Sequence, residues 1–310
     1  MCELVLAAPA ASQDGWSHYA GDTYQRYSSL GMIDAGNIGD LRVAWRRPGL
    51  APEVAALVPD RRPGAYHKST PILVDGVLYA SDAVGLVEAF DPGTGETLWV
   101  QPLPGDDTFR GQSVRGVEFW TDGQDRRIIS IRDEYLYALD ANSGRPIPSF
   151  GADGRVLLTR PEPGALGFGG AQAPLVIGDV IVVAGLRGGA GDRSRVKERE
   201  PEDIYGYDVR TGRELWVFNV VPRPGEVGAE TWENEAWEYA GDLGAWCCLS
   251  ADPEVGLVYA PLTANSGSMW GGWRPGHNLF TNTLVAIDAE SGRLAWHYQV
   301  IHHGIWEYDN

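Results

Sequence analysis

Cations are scarce in this sequence: 25 Lys and Arg stand against 42 Asp and Glu in 310 residues, a formal net charge of −17. No Lys/Arg-rich run interrupts that excess, so the electrostatic footprint of a nucleic-acid or anionic-membrane surface is missing. A neutral or anion-tolerant small molecule is the more natural partner. No run of about 18 apolar residues occurs, which excludes a bilayer-spanning helix. Cysteine and methionine number 3 each, and no C-x-x-C-H haem-attachment motif is present. Helical periodicity is lacking too: no capped segment carries apolar residues at i, i+3, i+4 and i+7.

What fills the sequence instead is 40 Gly, 20 Pro and 12 Trp, with 44% hydrophobic and 22% charged residues. That is a folded, turn-rich composition with a large core, and short alternating apolar runs closed by Asp, Gly and Ser recur throughout. The reading is all-β. At the front, Leu4 to Ser12 (LVLAAPAAS) resembles the tail of a secretory signal without its basic start. Residues 1–15 are therefore expected to be a signal remnant or a mobile tail, residues 16–310 the folded unit, and the protein exported.

Internal repetition is the strongest pattern. LVEAFDPGTGETLW (Leu86 to Trp99), YLYALDANSGRPIP (Tyr135 to Pro148), IYGYDVRTGRELW (Ile204 to Trp216) and LVAIDAESGRLAW (Leu284 to Trp296) share one plan. An apolar strand reaches Asp91, Asp140, Asp208 or Asp288; four residues on stands Gly95, Gly144, Gly212 or Gly292; Trp follows four later in three copies, with Pro148 in the second. The Asp can cap its own turn and the Gly can take positive φ, which makes each copy a hairpin. Strands at Thr70 to Ala80 and Ala173 to Ala184 precede the motifs, and Leu41 to Arg46, ending near Trp45, reads as one more strand. Each motif then closes a four-stranded unit, and copies recurring every roughly 50 to 80 residues fit propeller blades with insertions. Trp99, Trp216 and Trp296 are expected to pack between neighbouring blades.

The repeat resembles the tryptophan-docking motif of the PQQ-dependent (quinoprotein) alcohol and glucose dehydrogenases. Similar to that family are WSHYAGDTYQRYSSLGMI (Trp16 to Ile33), PRPGEVGAETWENEAW (Pro222 to Trp237), GAWCCLSADPEVGLVYAP (Gly244 to Pro261), GGWRPGHNLF (Gly271 to Phe280) and VIHHGIWEYDN (Val300 to Asn310). The resemblance implies an eight-bladed β-propeller of the quinoprotein type, with PQQ over a Ca²⁺ ion near the axis. Four motifs correspond to about four blades, an incomplete propeller expected to bind PQQ poorly and to be inactive when isolated.

The resemblance also assigns roles. Arg115, in SVRGVEFW, matches the arginine beside the quinone oxygens, where a fixed guanidinium stabilises the charge that hydride transfer creates. Trp246 matches the indole floor under PQQ. Asn265 stands where the family places a Ca²⁺ ligand, with Thr263 a close competitor; the family's glutamate ligand is not visible in Gly185 to Asp192. Glu307 occupies the position of the catalytic aspartate, which also touches the metal, and Asp309 is a spare carboxylate. Cys247 and Cys248 follow the floor tryptophan, whereas the family's cysteine pair precedes the arginine; two buried thiols are expected.

The implied activity is PQQ-dependent oxidation of an alcohol or aldose CH–OH group, with electrons passed to a quinone or cytochrome in the periplasm. Two alternatives stay open: a non-catalytic propeller serving as a cell-envelope assembly scaffold, and an inactive relative, since Lys68, Gly188 and Glu307 replace the residues expected there.

Overall fold

The computed structural model describes residues 15–19, 21, 24, 26–28, 30–59, 67–103, 114–158, 173–185, 197–199, 201–245, 248–264 and 270–306. The first fourteen residues, expected to be a tail, lie outside that set. The described chain forms four antiparallel four-stranded sheets in sequence order. The first holds β1 (Ile72–Val74), β2 (Val77–Ser81), β3 (Val87–Phe90) and β4 (Thr97–Val100); the second β5 (Glu118–Thr121), β6 (Arg126–Arg132), β7 (Tyr135–Asp140) and β8 (Arg155–Leu157). The third holds β9 (Leu175–Ile177), β10 (Val180–Ala184), β11 (Ile204–Asp208) and β12 (Glu214–Phe218); the fourth β13 (Ser250–Asp252), β14 (Leu257–Leu262), β15 (Thr283–Asp288) and β16 (Leu294–Gln299). First strands of neighbouring sheets touch, β1 against β5 and β5 against β9, so each sheet radiates from a shared axis as a propeller blade. One short helix, α1 (Pro52–Leu57), escaped the sequence reading: six residues are too few to show a helical period, and Pro52 at its first turn is its sequence mark. None of the described helices is long and apolar enough to cross a membrane.

The repeat Asp and Gly do what their spacing demands. Asp91 Oδ1 accepts from the amides of Gly93 and Thr94 at 2.8 and 2.7 Å, and Asp208 Oδ1 accepts from Thr211 at 2.7 Å. Gly95, Gly144, Gly212 and Gly292 sit at φ of 73°, 70°, 72° and 70°. Their second role is spatial. A Cβ on Gly144 would lie 2.3 Å from the Trp99 ring and one on Gly292 2.6 Å from Trp216, so each glycine is the floor on which the preceding blade's indole rests.

The indole N–H completes the dock. Trp45 donates to Pro92 O (2.8 Å), Trp99 to Ala141 O (3.1 Å) and Trp216 to Ala289 O (2.9 Å), in each case the carbonyl just after the repeat Asp. At the seam between second and third blades, Pro148 supplies no indole, and the chain departs from β7 before returning as β8. Arg127 Nη1 takes over, donating to Val209 O at 3.0 Å and Arg210 O at 2.7 Å. Phe150 and Val156 cover Gly212 where the ring would lie. Buried apolar clusters fill all three seams.

Three expectations are corrected here. Trp296 is 43% exposed, because among the described residues no blade packs against β16. Leu41 to Arg46 forms no strand, having no ladder partner among the described residues; Trp45 docks on Pro92 O and meets the Phe90 ring edge-on. Thr70 to Ala80 and Ala173 to Ala184 are each a hairpin, β1–β2 and β9–β10, rather than one strand.

The seam generates a prediction. Gly144→Ala forces a methyl into the Trp99 ring at positive φ and should destabilise by about 2–4 kcal/mol. Arg127→Met strands two seam carbonyls and should cost about 2–3 kcal/mol. Urea unfolding of both variants checks this; an Arg127→Met midpoint equal to wild type would remove Arg127 from the dock.

Candidate functional site

In an antiparallel blade the second-to-third strand connection and the crossing to the next blade leave from one end, while the Asp–Gly turns occupy the other. Arg115 lies in the β4–β5 crossing, Asp82 in β2–β3, Arg132 at the start of β6–β7 and Glu202 in β10–β11, so all four belong to the same rim. The strands flanking Trp246 (β12, β13) and Asn265 (β14, β15) open toward this rim, and Glu307 follows β16 in sequence. Trp246, Asn265 and Glu307 themselves lie outside the described residues, so their convergence with Arg115 is untested.

Arg115 is half-buried. Its backbone is fixed on both sides: Thr70 N donates to Arg115 O at 2.8 Å, and Val114 N to Ser81 Oγ at 3.3 Å. Its Nε is buried and finds no hydrogen-bond partner among the described residues. A fixed guanidinium with an unspent donor is what recognition of an acceptor-rich ligand requires.

Asp82 is the carboxylate that sequence reasoning missed. It is 3% exposed; Oδ1 accepts from Val84 and Leu86 amides at 2.9 and 2.8 Å, while Oδ2 is buried without a partner. Desolvation dominates these hydrogen bonds and the nearby Arg132 charge, and pushes the carboxyl up to about 6. In the sequence it is a single Asp at a turn, a residue type usually read as an Asx turn, which it also is.

Glu202 is a second missed carboxylate, 5% exposed. A Cβ on Gly244 would lie 2.4 Å from its Oε2. Gly244 O in turn accepts from Thr263 N at 3.0 Å and Thr263 Oγ1 at 3.2 Å. Glu202 and Thr263 are thus gathered beside Gly244, which precedes Trp246 by two residues. On the fourth blade the buried Arg274 donates to Asn278 Oδ1 at 2.8 Å and to Gly304 O. Burial holds that guanidinium down to about 10. His303 Nδ1 contacts Gly276 O at 2.7 Å, so the RPG loop grips the segment that leads to Glu307.

The thiol expectation fails at Cys248, which is disulfide-bonded. Sequence spacing could not decide this, since adjacent cysteines pair only where the backbone permits; Cys248 sits at φ of 62°.

Asp82 yields a pH prediction. Its native carboxyl titrates above the unfolded value, so its contribution is intact below about pH 4 and is lost as pH rises through about 6. Asp82→Asn keeps the Oδ1 acceptor and removes the charge. It should stabilise the protein by about 1–3 kcal/mol at pH 8 and by nothing at pH 4. Urea unfolding at both pH values measures this, and equal effects at the two would contradict it.

Residues 16–310 match the family model described as glucose/ethanol/alcohol dehydrogenase, beta-propeller domain, of the PQQ type. Quinoprotein glucose dehydrogenase A of Acinetobacter calcoaceticus is 29% identical across 99% of this chain and 40% of its own length. Quinohemoprotein alcohol dehydrogenase ADH-IIG of Pseudomonas putida is 31% identical over 93% of this chain and 38% of its own. The chain therefore spans about 40% of the length of these curated relatives. The solved quinohemoprotein alcohol dehydrogenase from Comamonas testosteroni superposes with a TM-score of 0.75 at 26% identity, covering 97% of this chain and 43% of that one. With sheets, docks and the matched span in agreement, the chain belongs to the PQQ-dependent glucose/ethanol/alcohol dehydrogenase family of β-propellers.

Proposed function

We propose that this protein takes part in oxidation of an alcohol or aldose CH–OH group with PQQ as cofactor, in the periplasm, passing electrons to a quinone or a cytochrome. The observation that carries the reading is Arg115: a backbone-fixed guanidinium on the rim whose buried Nε has no partner among the described residues. That orphan donor fits a group rich in oxygen acceptors. When bound, PQQ supplies the two-electron acceptor that no side chain provides.

The chain's own residues then divide the work. Arg115 stabilises negative charge developing on an acceptor oxygen in a site poor in water. Trp246 gives a flat apolar floor for a planar ligand. Glu307 takes the substrate hydroxyl proton, as the carboxylate in the aspartate's place. Asn265 offers a carbonyl oxygen to Ca²⁺, a hard cation that selects such donors. Thr263 and the buried Glu202 stand as oxygen donors beside Gly244, and Glu202 is the carboxylate that Gly185 to Asp192 did not offer. Held by these donors, Ca²⁺ would supply Lewis-acid chemistry at the substrate oxygen.

The test uses the protein encoded by the full reading frame, reconstituted with PQQ and Ca²⁺ and assayed on alcohols and aldoses with an artificial electron acceptor. Turnover near 1 s⁻¹ or above is expected. Glu307→Gln should lower kcat by about 10²-fold or more, and Arg115→Lys by at least about tenfold. Absence of PQQ-dependent turnover on any CH–OH substrate, with PQQ demonstrably bound, would overturn the reading.

A further inference from the structure

Three residues past Arg115, where β5 begins, a wholly buried carboxylate meets the N-terminal segment. Glu118 is 1% exposed and uses both oxygens: Oε1 accepts from Tyr19 N at 2.6 Å, and Oε2 contacts His18 Nδ1 at 2.6 Å and accepts from Val176 N at 3.4 Å. On the far side of the imidazole, His18 Nε2 lies 3.0 Å from Tyr24 Oη, and Tyr24 donates its own hydrogen to Val176 O. With that hydrogen spent, Nε2 must donate to Tyr24. The Nδ1–Oε2 contact then needs one hydrogen more than a neutral imidazole and a carboxylate carry between them. Glu118, His18 and Tyr24 are therefore one proton-holding chain, and burial raises the Glu118 carboxyl in the direction that keeps the proton there.

The segment that this chain fastens is a strap across the first strands of three blades. Trp16 exchanges two backbone hydrogen bonds with Leu73 of β1, at 2.8 and 2.9 Å, and its indole donates to Pro71 O at 2.8 Å. Ser17 O accepts from Phe119 N of β5 at 3.0 Å, and Tyr24 reaches Val176 of β9. Between these points the Tyr19 ring lies on Gly116, where a Cβ would approach Tyr19 Cδ2 to 2.4 Å. Gly116 is the neighbour of Arg115. The strap thus backs the Arg115 turn from behind, while Thr70 and Ser81 hold it from the first blade.

We propose that Glu118 and His18 are positioning residues for Arg115: their hydrogen-bond chain latches the strap, and the latched Tyr19 ring fixes the Val114–Gly116 turn that aims the guanidinium. This rests on the role given to Arg115 above, but its test needs no cofactor. The strap's backbone bonds to Leu73 and Phe119 tie down only Trp16 and Ser17; Tyr19 is held by its amide bond to Glu118 Oε1, whose carboxylate His18 orients from the other oxygen, and by a 3.6 Å contact of its Oη with Cys248 Sγ. The three atoms nearest the Cβ position of Gly116 all belong to the Tyr19 ring.

The experiment measures Arg115 in the cofactor-free full chain. Its readouts are the rate of phenylglyoxal modification at Arg115, side-chain Nε–Hε relaxation by NMR, and backbone amide exchange at 114–117. Arg127 and Arg274 serve as internal controls. His18→Leu cuts the chain at the Glu118–His18 bond and Tyr24→Phe cuts it at the His18–Tyr24 and Tyr24–Val176 bonds, neither altering β5, and the second keeps the aromatic ring should the first fail to fold. Each should speed Arg115 modification about fivefold or more and amide exchange at 114–117 about tenfold, leaving the controls unchanged. Glu118→Gln retains an acceptor for Tyr19 N and a donor for His18 Nδ1 and gives up only the long 3.4 Å bond from Val176 N, so it should stay within about twofold of wild type. Arg115 rates unchanged while the Trp16–Tyr24 amides loosen would show a strap that does not position Arg115. Unchanged strap exchange in His18→Leu would show no latch. Glu118→Gln behaving like His18→Leu would refute the hydrogen-bond account.

Discussion

Everything in this architecture depends on one repeated hydrogen bond, from a donor on one blade to the carbonyl following the repeat Asp on the next. It is a seam constraint, not a blade constraint: each sheet's backbone bonds are complete without it. What the dock adds is angle. The donor and the left-handed glycine beneath it fix where the ring lies, and the ring fixes how far the next sheet turns about the axis. Because the bond is to a backbone carbonyl, the donor's identity is free so long as it reaches and is shielded from water. Arg127 shows that freedom. It donates to Val209 O where an indole would, and Trp120 stacks between Arg127 and Arg210 at 5.4 and 4.7 Å to restore the apolar cover.

Fixing the seam at one end of the blades leaves the other end unconstrained by the repeat, and buried or half-buried ionisable residues gather there. The β4–β5 crossing carries Arg115, and the β10–β11 connection carries Glu202, neither part of any repeat copy. The rim therefore has to be stiffened by contacts of its own. Ser81 on Val114, Arg274 on Gly304 and the His18–Glu118 chain behind Gly116 are three such contacts, each linking segments far apart in sequence.

This division explains what could be read from the amino acids. The fold was legible because Asp, Gly and Trp recur at fixed offsets, and a periodic signal survives one defect, Pro148. Arg115 was singled out through its flanks, and it stands on the rim with a buried Nε that has no partner among the described residues. Asp82, Glu202 and the His18–Glu118 pair were not: each is a single ordinary polar residue whose meaning is burial, and burial in a rim connection follows from what the next blade lays over it. His18 and Glu118 are a hundred residues apart and carry no spacing that links them. Cys248 was misread for a related reason, since the state of adjacent cysteines turns on local backbone geometry that sequence spacing does not encode. Trp296 matched the repeat faithfully and still stands exposed, because docking is a property of a pair of blades and a motif names only one member.

Seam and rim are nonetheless coupled at Asp82. The side chain belongs to the first blade's β2–β3 turn, but the charge that partly offsets its burial is Arg132, the last residue of β6 on the second. Arg132 is 1% exposed and donates to Tyr137 Oη at 2.6 Å, within the same seam that Trp99 closes at its other end. A change in the angle between these two blades would alter the distance between Asp82 and Arg132, and with it the charge that Asp82 carries near neutral pH. Asp82 is thus the point where the first blade's rim turn meets a charge carried by the second, and it lies beside Ser81, the residue that holds the turn of Arg115.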